Sequence, residues 1–169
     1  MTLVRTQLLY GSQIWAPQSI NLIQRTERLQ RRATKYILNL PFRCDTSYVQ
    51  RLSLLDLLPL CYWHELLDML LFYKLTHGLM SIDTDLLPLP TNTSNKRATR
   101  SSDPDHLSFT TTRCKTSTYQ KSYLNRCTRL WNVLPKDLTS NNTSVAGFKY
   151  RLFQYYKLAV ETVYDVDDP

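Results

Sequence analysis

Glycine is scarce in this sequence. The 169 residues include three glycines and eight prolines, whereas sandwiches and barrels of short strands depend on many glycine- and proline-rich turns. The shortage argues against a β-sandwich and favours helices that end abruptly at prolines. We therefore predict an all-α fold, an irregular bundle of about five or six helices.

The cysteines lack the spacing of a metal site or a redox motif. Cys44, Cys61, Cys114 and Cys127 form neither a C-x-x-C pair nor a zinc-finger pattern. The N-terminal residues also lack the basic region, the apolar core and the small-residue cleavage site of a secretory signal peptide. These absences predict reduced thiols and an intracellular protein, nuclear or cytoplasmic.

Familiar catalytic and cofactor motifs are also missing. The sequence has no G-x-x-x-x-G-K-[ST] loop, no G-x-G-x-x-G and no G-x-S-x-G. His64 and Asp68 begin like a helical zinc site, but the second histidine is absent, which favours a simple pair on a helix face. Asp165, Asp167 and Asp168 lack the surrounding strands and the distant third carboxylate of a two-metal site. We expect no catalytic residues, no metal and no cofactor.

No apolar run is long enough to cross a membrane, because Glu65 and Asp68 interrupt the most apolar stretch. We expect no membrane partner. That stretch, 59–77, predicts a central core helix that Gly78 ends. The residues predicted to anchor the core are Trp63, Leu67 and Leu70.

Length and composition predict one helical domain over residues 1–160, followed by an acidic tail over 161–169. Composition changes to threonine, serine, asparagine and basic residues over 91–118, which predicts a long polar loop. Shorter helices are predicted over 3–15 with a break at Gly11, over 46–52, over 119–131, and after a capping Ser144.

Acidic residues are outnumbered. The chain has 21 lysines and arginines against 14 aspartates and glutamates, which gives a net charge of +7. A basic domain favours polyanions, nucleic acid first and an acidic membrane surface second.

The basic residues concentrate on one side of a helix predicted between Ser19 and Leu40. Ser19 can cap its start, and Pro41 prevents its continuation. At about 100° per residue, an apolar stripe separates from a basic arc about 120° wide. The apolar stripe, predicted to pack on the core, consists of Leu22, Leu29, Ala33, Tyr36, Ile37 and Leu40. The basic arc, the predicted nucleic-acid-binding site, consists of Arg25, Arg28, Arg31, Arg32 and Lys35.

A run of charge is often only a solvated face. Here, however, Glu27 is the only acidic residue between Ser19 and Leu40, so the arginines are weakly neutralised. The pattern favours contact with phosphates of RNA or DNA, without a fixed register of side chains that read bases.

Six short motifs occur in an order and spacing that resembles the C-terminal part of non-LTR (LINE-type) retrotransposon reverse transcriptases. They are L-Y-G-S-Q-I-W at 9–15, Q-R-R-A-T-K at 30–35, Y-K-L-T-H-G at 73–78, R-C-K-T at 113–116, L-W-N-V-L-P at 130–135 and S-V-A-G-F-K at 144–149. With Arg151 and Leu152, the resemblance covers residues 3 to 158, nearly the whole chain.

In that family this region follows the catalytic palm and includes the thumb and a helical extension. The resemblance implies a role in holding template and primer, with the upstream palm as a further partner. The palm with its aromatic-x-Asp-Asp pair would lie upstream of Met1, so the resemblance implies a truncated, non-catalytic fragment of an RNA-directed DNA polymerase. Two alternatives stay open: a helical protein–protein interaction module and a non-functional retroelement remnant. The sequence predicts no oligomeric state.

Overall fold

The structure is a computed structural model that describes residues 2–41, 43, 45–81, 83, 87–90, 107–139 and 144–163, with the backbone alone at 2–4 and 161–163. Eight α-helices make up its regular structure, and the described residues form no strand, only an isolated bridge between Pro90 and Phe109. This confirms the predicted all-α fold. The helices are α1 (Thr2–Leu9), α2 (Ser12–Trp15), α3 (Ile20–Ile37), α4 (Tyr48–Leu54), α5 (Leu60–Thr76), α6 (Ser117–Gln120), α7 (Tyr123–Val133) and α8 (Val145–Val163).

The ends of these helices follow local chemistry. Gly11 and Gly78 take positive φ values of 62° and 65°, which glycine adopts without steric cost, at the break before α2 and after the end of α5. The Ser47 hydroxyl and the Gln50 side chain form a reciprocal capping box at the start of α4. The helix predicted over 119–131 is interrupted by a turn at Lys121, which separates α6 from α7.

The chain divides into two compact units. Unit 1 contains Met1–Leu67 and Leu152–Pro169, and unit 2 contains Asp68–Arg151. Both α5 and α8 contribute residues to each unit. The prediction of a single domain over 1–160 is not tested by this division and stays a prediction.

Two predicted segments are described only in part. Of the predicted polar loop, residues 91–106 lie outside the described residues, while 107–116 contain no helix and lead into α6. Of the predicted acidic tail, residues 161–163 belong to α8, and 164–169 lie outside the described residues.

The core of unit 1 forms where α4 packs against the turn that leads into α5. Tyr48, Leu52 and Leu57 form a buried cluster, with Leu55 packed against it. Aromatic pairs extend the packing between α5 and α8: Tyr62 stacks on Tyr156 with ring centroids 5.2 Å apart, and Trp63 lies 5.6 Å from Phe153. Such pairs stabilise a core beyond the apolar area that they bury.

The core of unit 2 is an aromatic cluster around Trp131. This fully buried indole lies 5.6 Å from Phe72, 5.8 Å from Phe148 and 6.1 Å from Phe109, measured between ring centroids. Its Nε1–H donates to the Leu107 carbonyl at 2.8 Å, so burial leaves no indole donor unpaired.

The predicted anchors of α5 need correction. Trp63, Leu67 and Leu70 are only half-buried. The fully buried apolar side chains of this helix are instead Leu60, Leu66, Met69, Phe72 and Tyr73. Because α5 is apolar around most of its circumference, its periodicity does not indicate which face is innermost.

The predicted orientation of α3 is wrong. Three residues of the apolar stripe that should pack on the core are exposed, Leu22 at 49%, Leu29 at 48% and Tyr36 at 89% of their surface. Ile37 is also exposed, whereas Ala33 and Leu40 are half-buried. The buried residues of α3 are Glu27, Gln30 and Thr34.

Candidate nucleic-acid interface

Helix α3 is held in unit 1 by a buried polar row, formed by Glu27, Gln30 and Thr34. Spacings of three and four residues place these side chains on one face of the helix. Gln30 Nε2 donates to the Leu58 carbonyl at 2.7 Å, two residues before α5 begins. Thr34 donates its hydroxyl to the Arg31 carbonyl at 2.9 Å, so it can be buried without an unpaired donor.

Glu27 joins α3 to two other elements. One carboxylate oxygen accepts a short hydrogen bond from the Tyr48 hydroxyl of α4. The other accepts from the Leu60 backbone N–H at 3.0 Å, at the first turn of α5. Helix N-termini leave backbone donors without partners and carry partial positive charge, so a carboxylate is well placed there.

Burial nevertheless makes the Glu27 charge costly. Desolvation raises the pKa of this carboxyl, while the hydrogen bond from Tyr48, the backbone donor of Leu60 and the nearby Arg31 charge act to lower it. Burial is the strongest of these effects, so the pKa lies above its ordinary value. The only acidic residue of α3 thus faces the interior.

The basic arc faces away from this buried polar row. Nine residues at about 100° each place Arg25 on the side of α3 opposite to Thr34. The structure leaves Arg25, Arg28 and Arg32 exposed. Because Glu27 is buried, no acidic side chain of α3 itself can neutralise these three guanidinium groups in water.

The other two members of the basic arc are less accessible. The Arg31 guanidinium lies 4.6 Å from the centre of the Tyr48 ring, close enough for a cation–π contact, and its charge acts on Glu27. Lys35 is half-buried. Of the five predicted site residues, Arg25, Arg28 and Arg32 therefore form the exposed centre, and Arg31 and Lys35 form one edge.

Two motifs outside α3 contribute hydrogen bonds that hold the fold. Trp15 donates its indole N–H to the Tyr10 carbonyl at 2.7 Å, which closes the turn around Gly11. Asn132 holds the backbone of Phe109 with two hydrogen bonds, donating from Nδ2 at 2.8 Å and accepting at Oδ1 at 3.1 Å. The motif at 30–35 lies on α3 and contributes the exposed charge of Arg32.

The suspected zinc pair has other partners. His64 contacts the Leu8 carbonyl through Nε2 at 3.0 Å and packs edge-on against Trp15. Asp68 accepts two hydrogen bonds from Arg126, at 2.6 and 3.1 Å. Within the described ranges, no three His, Cys, Asp or Glu side chains are grouped so that they could hold a metal ion.

Unit 2 contains a cavity that sequence analysis missed. Its volume is about 680 Å³, and its described lining includes Tyr119, Tyr123 and Asn125 but no acidic or basic side chain. The lining comes from residues 87–89, 110–112 and 119–128. No sequence motif could reveal it, because distant segments form its walls.

The chain was compared with models of protein families, with curated proteins and with solved structures, and none of the three comparisons found a match. Among the helices of the described residues, none is both long and apolar enough to span a membrane. The candidate site is therefore defined by the residues and geometry of α3 alone.

Proposed function

We propose that this chain binds RNA or DNA through backbone phosphates, as a non-catalytic fragment similar to the thumb and helical extension of a non-LTR reverse transcriptase. Arg25, Arg28 and Arg32 would contact phosphates directly, while Arg31 and Lys35 would extend the surface at its edge. The six sequence motifs support the kinship. They do not extend to the palm carboxylates, so no polymerase activity is part of this proposal.

One observation carries the proposal: three exposed arginines share one side of α3, and its only acidic residue is buried on another side. Guanidinium groups present planar arrays of donors that suit phosphate oxygens. Phosphate contacts of this kind position a protein on nucleic acid without reading its sequence. The function is therefore general backbone binding.

Salt dependence tests the proposal. Each phosphate contact contributes about −0.9 to the slope of log affinity against log salt concentration on duplex DNA, so three arginines predict a slope of about −2.7. Replacing Arg28 and Arg32 by glutamine should flatten this slope by about two units and weaken binding to all sequences alike. Fluorescence anisotropy with a labelled duplex at several salt concentrations gives both values.

A charge-matched variant distinguishes nucleic-acid binding at α3 from attraction of nucleic acid by the net positive charge of the chain. Lys121→Gln with Lys149→Gln removes the same charge from exposed positions outside α3. Equal losses in the two double variants would show that binding follows net charge alone. Circular dichroism of both variants checks the fold, which we expect to be unchanged because exposed charges contribute little to stability.

A further inference from the structure

Three exposed apolar residues of α3, Leu22, Leu29 and Tyr36, recur every seven residues, with the half-buried Thr26 and Ala33 between them. Alternating steps of four and three residues connect Leu22, Thr26, Leu29, Ala33 and Tyr36, which we call the heptad seam. This spacing is that of the a and d positions of a coiled coil. Leu22, Leu29 and Tyr36 take the d positions, about 10.5 Å apart along the helix.

The heptad seam is suited to burial against another helix. Thr26 donates its hydroxyl to the Ile23 carbonyl at 2.8 Å, so covering it leaves no new unpaired donor. Ala33 is small and lets a neighbouring helix approach closely. The seam is also narrow, as in a coiled coil, whereas helices that lie in membrane surfaces present a broad apolar face.

Charge beside the heptad seam indicates the chemistry of its partner. Arg25 and Arg32 immediately precede Thr26 and Ala33, so they occupy the g positions, where coiled coils select partners by charge. The residues on the opposite border are the uncharged Ile23, Gln30 and Ile37. A complementary helix would therefore carry carboxylates facing Arg25 and Arg32.

A second copy of this chain fits poorly. Antiparallel pairing of two α3 helices would place arginine g positions against each other, and like charges across such a seam are unfavourable. Parallel pairing would place Arg25 towards Gln30, which is buried and donates to the Leu58 carbonyl, and Arg32 towards Ile37, so neither arginine would meet a charge. Each chain also carries a net charge of +7.

We propose that the heptad seam docks an acidic amphipathic helix of a protein partner. Its apolar side chains would pack between Leu22, Leu29 and Tyr36, and its carboxylates would pair with Arg25 and Arg32. This proposal does not depend on nucleic-acid binding. The two surfaces share Arg25 and Arg32, but the leucines belong to the heptad seam alone and Arg28 to the basic arc alone.

The test uses the full chain and a labelled synthetic helix of about four heptads, with leucine at a and d and glutamate at e and g. Fluorescence anisotropy should show binding that Leu22→Ser with Leu29→Ser weakens at least about tenfold. Arg25→Gln with Arg32→Gln should weaken it as well. The matched control Leu54→Ser with Leu79→Ser, at exposed leucines outside α3, should bind like the parent.

Several outcomes would overturn the proposal. The acidic helix could fail to bind, or a version with serine at a and d could bind equally well, which would reduce the effect to charge. Anionic vesicles containing phosphatidylserine could be bound through Leu22 and Leu29 in place of the helix. Light scattering could show a dimer that the same two substitutions dissociate, making a second copy the occupant.

Binding to a nucleic-acid duplex distinguishes the docking of an acidic helix on the heptad seam from the binding of phosphates by the basic arc. Leu22→Ser with Leu29→Ser should leave the affinity for labelled duplex unchanged, whereas Arg28→Gln should weaken duplex binding and leave the acidic helix bound. If duplex affinity instead falls with the leucines, the heptad seam belongs to the nucleic-acid surface and the helix proposal is wrong.

Discussion

Two buried carboxylates of this protein, Glu27 and Asp68, differ in how many of their oxygens have hydrogen-bond partners. Glu27 uses both carboxylate oxygens, one for Tyr48 and one for the Leu60 N–H. Asp68 uses one oxygen for Arg126, and its other oxygen has no hydrogen-bond partner among the described residues. Burial raises the pKa of Asp68, while the charge of Arg126 and its hydrogen bond act to lower it.

We therefore expect Arg126→Ala to be strongly destabilising. It would leave the Asp68 carboxylate buried without its ion pair, which typically costs about 3–5 kcal/mol. Lys157→Ala is the matched comparison, since Lys157 pairs with Asp56 at 2.7 Å on the exposed surface and should cost about 0–1 kcal/mol. Urea unfolding at neutral pH measures both, and similar costs for the two variants would contradict the burial argument.

Among the elements, α3 departs most from its sequence pattern. The residues of its buried polar row form specific hydrogen bonds, whereas most of its apolar stripe is exposed to solvent. A buried carboxylate without hydrogen bonds would cost more than several half-exposed leucines, so the position of partner groups decides which face is inward. Exposed apolar side chains are common on protein surfaces and carry little cost.

A pair of alanine substitutions tests this orientation. Leu66→Ala, at a fully buried position of α5, should cost about 2–5 kcal/mol, because it removes packed methyl groups and leaves a cavity. Leu29→Ala should cost less than about 1 kcal/mol, since the side chain is half-exposed and alanine favours helix. If Leu29→Ala proves as costly as Leu66→Ala in denaturant unfolding, the apolar stripe is buried after all.

At the scale of the molecule, each of the two units has a buried acid with a raised pKa. Glu27 belongs to unit 1 and Asp68 to unit 2. A raised pKa means that the folded chain holds these protons more tightly than the unfolded chain does. Stability from these groups is therefore fully present below the unfolded pKa values and falls as pH rises through the folded ones.

Glu27→Gln isolates one of these contributions. Glutamine keeps an acceptor for Tyr48 or Leu60 but cannot ionise, so position 27 should no longer lower the stability of the variant as pH rises above 4.5, the ordinary pKa of glutamate. Asp68 is present in both proteins, so its contribution cancels in the comparison. As pH rises from 4.5 through the raised pKa of Glu27, the parent should lose stability relative to the variant. Urea unfolding at a series of pH values gives the difference, and parallel curves for the two proteins would contradict the raised pKa.

Sequence reasoning located most helices and their ends. Gly11, Gly78 and Ser144 act through their own backbone or side chain within a few residues, so a local pattern was sufficient to predict their roles. It also identified the basic arc, because helical periodicity shows which side chains share a face.

Only the tertiary structure decided which face of α3 is buried. Periodicity groups Glu27 with Gln30 and Thr34, but it does not reveal that Tyr48 and Leu60 supply hydrogen-bond donors. Those donors lie 21 and 33 residues further along the chain. A buried charge is stable only where such partners converge, and their convergence is a property of packing between helices. For the same reason, the sequence pattern predicted that Leu22, Leu29 and Tyr36 of the heptad seam pack on the core, whereas the folded chain exposes them.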